Sequence, residues 1–406
     1  MREGWSKYRL GDIVDIKHGF AFKGENFSEN PTEDILVTPG NFKIGGGFKA
    51  DKFKFHSGEY PAEYVLKAGD IIVTMTDLSK DGDTLGYSAM VPESQTHKYL
   101  HNQRIGLLQF KNNQCSQKYV YWLLRTKAYQ QFIVGSASGS TVKHTSPTRI
   151  QEYEFEAPPL PTQIRIAEIL SSLDDKIELN RQINATLEAT AQAIFKEWFV
   201  DFRFPGATGE MEESELGPIP KGWRVASLAE IANFLNGLAM QKFPADDRTA
   251  SIPVIKIREL KNGVTASTDR ASRKLPSQYI VKDGDLLFSW SGSLEVSYWV
   301  GGEGALNQHL FKVTSENFPL WFCYLWLTHH LEEFRNIAED KTTTMGHIQR
   351  SHLTNALCLI PPNLEQMGKR IKPIIDQIIL TRQESINTVQ LRDLLLPKLM
   401  NAEIVV

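Results

Sequence analysis

The stretch Pro158-Pro159-Leu160-Pro161-Thr162-Gln163-Ile164-Arg165-Ile166, which runs on without glycine or proline to Phe204, decides how this chain is organised. Stepping along it in alternating threes and fours gives Ile166, Leu170, Leu173, Ile177, Asn180, Asn184, Leu187, Ala191, Ile194 and Trp198. That is a heptad seam, and it predicts a helix from Thr162 to about Val200 that pairs with another helix. The prolines end the preceding structure and suit the first helical turn, where a missing N–H costs nothing. At about 1.5 Å per residue the rod is on the order of 55–60 Å long, more than a single globular domain needs inside it.

A partner for the seam lies near the C-terminus. Ile360-Pro361-Pro362-Asn363 leads into Leu364 to Leu396, with Ile371, Ile375, Ile378, Ile386 and Val389 as its pairing positions. Pro373 is expected near the helix start or at a kink, and Pro397 is expected to end the helix. Asn180 and Asn184 are the amides of the first seam, and buried Asn in such a seam fixes register at some cost in stability.

Around these two segments the chain repeats itself. Gly4-Trp5, Leu10-Gly11-Asp12-Ile13 and Gly19-Phe20-Ala21 recur as Gly222-Trp223, Leu228-Ala229-Glu230-Ile231 and Gly237-Leu238-Ala239, at a constant offset of 218. Tyr64 to Ile71 matches Tyr279 to Leu286, Asn102-Gln103-Arg104 matches Asn307-Gln308-His309, Thr141 and His144 match Thr344 and His347, and Pro158-Pro159 matches Pro361-Pro362. The order holds while the offset shrinks to 203, the signature of an internal duplication. Each copy begins with short apolar strands entered through a Gly-Asp turn (Asp70–Met75, Asp285–Trp290) and continues into helical stretches at Gln117–Phe132 and Leu320–Ile337. Strands first and helices later predict an α+β class. The division is 1–157 and 221–359 as two tandem domains, 158–204 and 360–406 as long helices packed antiparallel, and 205–220 as linker.

Composition narrows the function. The 406 residues are 41% apolar and 23% charged, which suits two or three globular domains. The formal net charge of −3 carries no global basic bias. The acidity is concentrated in 156–220, where 12 Asp and Glu face 5 Lys and Arg, a surface that repels phosphate and favours a protein partner. Three cysteines without metal-ligand spacing, Cys115, Cys323 and Cys358, fit a reducing compartment. With no signal-peptide pattern and no apolar run of membrane length, the expected location is the cytoplasm.

No catalytic set is visible. Gly45-Gly46-Gly47 lacks the Lys-Ser/Thr of a phosphate-binding loop and reads as a turn. Asp15-Ile16-Lys17 and Asp174-Asp175-Lys176 only echo a metal-nuclease pattern, and His329-His330 reads as packing, so no metal is expected. The nucleic-acid signal is local. Lys43, Lys49, Lys52 and Lys54 alternate with Phe42, Phe48, Phe53 and Phe55, and Lys256, Arg258, Lys261, Arg270, Arg273 and Lys274 cluster at the corresponding place in the second copy. Such clusters suit phosphates, and Arg also reads guanine edges. The polar loops holding Ser140, Thr141, Lys143 and His144, and Thr343, Thr344 and His347, suit phosphate oxygens. Thr76 and Ser291, after the Gly-Asp strands, and Arg104 and His309, in the Asn-Gln turns, complete the candidate contacts.

The run Pro158 to Ile177, with the Trp near the start, the Gly-Asp strand and the Gly139-Ser140-Thr141 loop, resembles the DNA-specificity (S) subunit of type I restriction–modification enzymes, a bacterial defence system. The resemblance covers essentially the whole chain, in the order recognition domain, helix, recognition domain, helix. It implies a non-catalytic subunit that binds double-stranded DNA at a bipartite site, one half-site per domain, with the helices as a ruler. It further implies two DNA methyltransferase subunits and restriction (translocase/nuclease) subunits as partners, with S-adenosylmethionine, ATP and Mg held by them and no cofactor on this chain. A protein-binding scaffold without DNA recognition, and a nuclease with a cryptic site, remain the alternatives.

Overall fold

The computed structural model describes residues 4–77, 79, 82–139, 142–245, 251–339 and 346–406. Two compact units emerge. One is the chain through Asp175 together with Gln390–Val406, and the other is Lys176–Val389. Each unit holds one copy of the repeat and a portion of both long helices.

The repeat is a repeat of topology. In the first unit one sheet orders its strands Val14–His18, Ile105–Phe110, Ile71–Thr74, Ser88–Met90; in the second the order is Asn233–Asn236, Leu310–Thr314, Leu286–Ser289, Glu295–Tyr298. A companion sheet runs Lys54–His56, Asp34–Val37, Lys98–His101, Val65–Leu66, and its counterpart runs Arg270–Ser272, Ser251–Ile255, Gly304–Leu306, Ile280–Val281. The first unit adds one edge strand, Phe27–Ser28. In both, the middle two companion strands pair parallel while their neighbours pair antiparallel. Ser6–Arg9 pairs with Glu154–Ala157, and Arg224–Ser227 with Leu357–Ile360, so each copy closes on its own ends.

The shared landmarks are the residues this topology cannot do without. Gly69 and Gly284 take φ of 86° and 88° in the Gly-Asp turns, and Asp70 and Asp285 each accept the N–H of the lysine three residues back at 2.8 Å. At Gly19 and Gly237 two chain segments cross closely, since a Cβ there would stand 2.1 Å and 2.2 Å from the carbonyl oxygens of Asn102 and Asn307. The expected helix at Gln117–Phe132 is two helices, Gln117–Leu123 and Lys127–Val134. Thr126 breaks it by capping the second, its hydroxyl accepting the Tyr129 N–H at 3.3 Å. The second unit has one helix there, Leu320–Glu339.

The central helix spans Leu160–Phe195 and continues as a π turn over Lys196–Val200, which lets the adjacent Trp198 and Phe199 both bury. The C-terminal helix spans Leu364–Met400. Their ion pairs and hydrogen bonds run in opposite order, Asp174 with Arg392 in the first unit, then Asn180 with Glu384 and Glu188 with Arg382 in the second, so the helices are antiparallel. Seam positions Ile166, Leu170, Asn180, Asn184, Ile371, Ile375 and Ile378 are buried, whereas Leu173, Ile177, Leu187, Ile386 and Val389 are half-buried.

One expectation needs correction, and two gain detail. Pro397 does not end its helix. Leu399 and Met400 beyond it are 1% and 7% exposed in the first unit's core, and that burial offsets the lost backbone bond. Pro373 lies ten residues into the helix on its exposed side, flanked by the buried Ile371 and Ile375. The 205–220 linker contains a hairpin, Met211–Ser214 with Gly217–Pro220. Replacing Pro373 with alanine is expected to stabilise the second unit by about 2 kcal/mol. That is less than the ~3 kcal/mol helix-interior penalty of proline, because the unfolded chain gains freedom too. Urea unfolding reads the shift, and an unchanged midpoint contradicts it.

Candidate nucleic-acid interface

At one end of each central sheet, three landmarks far apart in sequence meet in the same way. Asn102 Oδ1 accepts the Arg104 N–H at 3.1 Å, and Asn307 Oδ1 accepts the His309 N–H at 3.2 Å, so the same Asx turn presents an Arg in one unit and a His in the other. Met75, just past its strand, donates its N–H to Arg104 O at 2.9 Å and accepts from Thr145 N–H at 3.0 Å. Trp290 donates to His309 O at 3.4 Å and accepts from Ile348 N–H at 3.0 Å. His144 and His347 are thereby laid beside Thr76 and Ser291, with which they pair.

The side chains divide into exposed and supporting ones. Thr76 and Ser291 are only 5% and 4% exposed, so they do not reach outward. Thr76 Oγ1 lies 3.2 Å from His144 Nδ1, and Ser291 Oγ lies 2.9 Å from His309 Nδ1. Each hydroxyl holds an imidazole, and Arg104 and His144 are exposed above them. In the second unit Trp290 adds an aromatic wall, its ring 6.0 Å from His309 and 6.3 Å from His347. Asp77 braces the adjoining loop. Burial pushes its carboxyl up, but N–H and hydroxyl donors from Ser79 and Thr84, at 2.5–2.7 Å, outweigh it and hold the group below its ordinary range. Ser140, Thr141, Thr343 and Thr344 lie outside the described residues; Lys143 pairs in register with Asp77.

The two basic clusters occupy one topological link, between the parallel-paired companion strand and its antiparallel neighbour, but they are built differently. In the first unit Phe42, Phe48, Phe53 and Phe55 turn inward against a core, leaving Lys43, Lys52 and Lys54 exposed; Lys49 pairs with Asp51 at 3.2 Å. In the second, Glu259 and Asp269 stand within the cluster, and strands distant in sequence add Glu295 and Glu303, which the spacing does not reveal. Lys256 pairs with Asp269, Arg258 with Glu259 at 2.7 Å, Lys261 with Glu295 at 3.7 Å, and Arg273 with Glu303. Arg270 binds Ser251, while Lys274 is exposed. The first link is therefore the stronger cationic surface.

Sequence reading missed Arg125. Its side chain is 2% exposed, and its guanidinium sits 4.2 Å above the Trp122 ring. It bonds Gly45 O at 3.0 Å, Tyr121 OH at 2.8 Å and Asp174 at 2.5 Å, and Arg392 meets the other Asp174 oxygen at 2.6 Å. Asp174 is thus an ion-pair node, as its echo of a nuclease motif did not suggest. Three consecutive glycines were the only signal, and Gly46 carries it, because a Cβ there would stand 2.5 Å from Arg125 Cγ.

His329 and His330 pack against aromatic rings, and His330 Nε2 lies 3.0 Å from Leu357 O. The three cysteines are free and buried, which pushes the Cys115 and Cys323 thiols up to about 11 and 12. Among the described residues no helix is long and apolar enough to cross a membrane.

Comparison with known proteins matches the type I restriction modification DNA specificity domain at residues 2–189 and again at 220–391. The MjaIX specificity subunit of Methanocaldococcus jannaschii is 28% identical over 71% of this chain and 69% of its own length. The HindI specificity subunit of Haemophilus influenzae is 23% identical over 98% of this chain and 99% of its own. The fold is shared with the crystal structure of a type I S subunit from M. genitalium, with a TM-score of 0.56, 15% identity, and 97% and 96% of the two chains covered. Duplicated topology, paired long helices and two matches to one domain place this chain in the type I restriction–modification DNA-specificity subunit family.

Proposed function

We propose that the chain recognises a bipartite duplex site, with 1–157 and 221–359 each reading one half and the helices of 158–204 and 360–406 separating them and docking other subunits. The observation that carries this reading is the recurrence, in both units, of one surface assembled from the same three landmarks. In one it presents Arg104 and His144, in the other His309 and His347 beside Trp290. Shared scaffolding with different side chains, exposed Arg104 and His144 in one copy and half-buried His309 and His347 in the other, suits two copies that read different bases. The reading assigns the chain no catalysis of its own. Methyltransferase subunits, and restriction subunits with them, would carry S-adenosylmethionine, ATP and Mg, and the acidic 156–220 segment suits protein docking rather than phosphate.

Asn180 serves register in this reading. It is 1% exposed, its Nδ2 donates to Glu384 at 3.0 Å, and a shifted pairing forfeits that bond. The proposal is tested by duplex binding of the complex with its methyltransferase. Scrambling either half alone is expected to weaken binding, and affinity is expected to fall steeply with salt. Indifference to sequence in both halves favours the scaffold alternative.

A further inference from the structure

Among the described large apolar side chains of the first unit, Ile44 is 75% exposed, exceeded only by Val405 in the last residues of the chain at 89%. One exposed aliphatic is ordinary on a protein surface. This one is held out on a rigid support. Phe42 and Phe48 bridge at the base of the turn and pack inward; Lys43 N–H bonds Gly47 O and Gly46 N–H bonds Lys43 O, both at 3.0 Å. Gly45, Gly46 and Gly47 all take positive φ, between 84° and 97°, a path other residues resist. Gly47 N–H is tied to Ser88 O at 2.8 Å, on the strand paired with the one that leads to Thr76. Buried Asn41 clamps the far side through Lys49 O and Lys52 O at 3.2 Å and 3.0 Å. Arg125 then stakes the tip through Gly45 O.

We propose that this turn is a preorganised reading finger of the first unit: Ile44 makes an apolar contact with a thymine methyl group, Lys43, Lys52 and Lys54 lie toward the flanking phosphates, and Arg125 is the positioning residue. An aliphatic tip with exposed lysines on the same link matches the apolar and anionic features that a T·A pair and its backbone present together. A rigid support lowers the ordering cost of the contact. Among the described residues the second unit shows no such finger, its corresponding link being the short helix Ile257–Asn262, organised around the 1%-exposed Glu259.

The inference rests on the DNA-specificity reading, and the test separates the two. With the full chain in complex with its methyltransferase, each thymine of the recognised duplex is replaced by uracil, which lacks only the methyl. Wild type is expected to lose about 3- to 10-fold in affinity at one thymine, in the half whose recognition also depends on Arg104 and His144. Ile44→Ala is expected to lose as much on the thymine duplex and nothing further on the uracil duplex. Its melting temperature stays unchanged, because the side chain is largely in solvent. Arg125→Lys keeps the charge but not the Nε donor to Gly45, and is expected to shrink the thymine–uracil difference. Wild-type indifference to uracil throughout, or an equal Ile44→Ala loss on both duplexes, overturns the inference while leaving the DNA-specificity reading intact. Loss of methyltransferase co-purification in Ile44→Ala with unchanged base preference overturns it in favour of a protein contact. A wild-type complex that binds all duplexes alike sinks both.

Discussion

Replacing Asp174 with alanine is expected to destabilise the first unit by about 3–5 kcal/mol, because it strands the buried Arg125 guanidinium and takes from Arg392 one of its two carboxylate partners. Arg125 and Arg392 have side chains only 2% and 16% exposed, and both meet this carboxylate, Arg392 also pairing with Asp393 at 2.7 Å. The net worth of these contacts against an apolar substitute is smaller, but breaking them from the carboxylate side leaves the buried Arg125 charge uncompensated. The pH dependence has a definite sign. Burial pushes the Asp174 carboxyl up, yet Arg125 and Arg392 outweigh it and hold the group below its ordinary value. A group depressed in the folded state stabilises fully above its unfolded pKa, roughly 4, and loses that contribution as pH falls through the folded value. The gap between wild type and Asp174→Ala in urea unfolding is therefore expected to be wide at neutral pH and to close in acid. A gap under about 1 kcal/mol, or one that does not change with pH, contradicts the ion-pair account.

The second large effect concerns recognition. Arg104→Ala with His144→Ala is expected to cost on the order of 30-fold to 10,000-fold in affinity for the site, all of it through one half, since each direct base contact is worth about 1–3 kcal/mol. His309→Ala with His347→Ala should do the same through the other half. Competition with duplexes altered in one half separates the two: a half already unread by the variant no longer discriminates when its bases are changed. Thr76→Val provides a graded control, because its hydroxyl acts only by holding His144. Equal losses through both halves, or none, would remove the three-landmark surface from the interface.

How much of this was legible in the sequence depends on the range of the forces involved. The seam from Ile166 to Ile194 was readable because heptad spacing is local, and the repeat because Gly19, Gly69, Asp70 and Asn102 serve backbone geometry that other residues do not supply. Residues whose meaning lies in distant partners were not readable. Glu295 and Glu303 look like scattered surface acids until the sheet brings them to Lys261 and Arg273. Pro397 looks like a terminator because the core that holds Leu399 and Met400 is formed by residues more than two hundred positions away, Leu170 and Ile166 among them. The hydroxyls of Thr76 and Ser291 follow the Gly-Asp strands as the sequence implies, but they are covered and hold imidazoles instead of reaching outward. A strand position fixes where a side chain starts, not whether a histidine covers it.

The central claim, that one chain specifies two separate blocks of a DNA site, is tested most directly by mapping methylated bases across the host genome with and without the gene for this chain, the methyltransferase being present in both. The account predicts the loss of one split motif, two short defined blocks around an unspecified spacer. It also predicts that the Arg104→Ala, His144→Ala variant relaxes one block and leaves the other intact. A methylation pattern unchanged by removing the chain, or a lost motif that forms one undivided block, would contradict it.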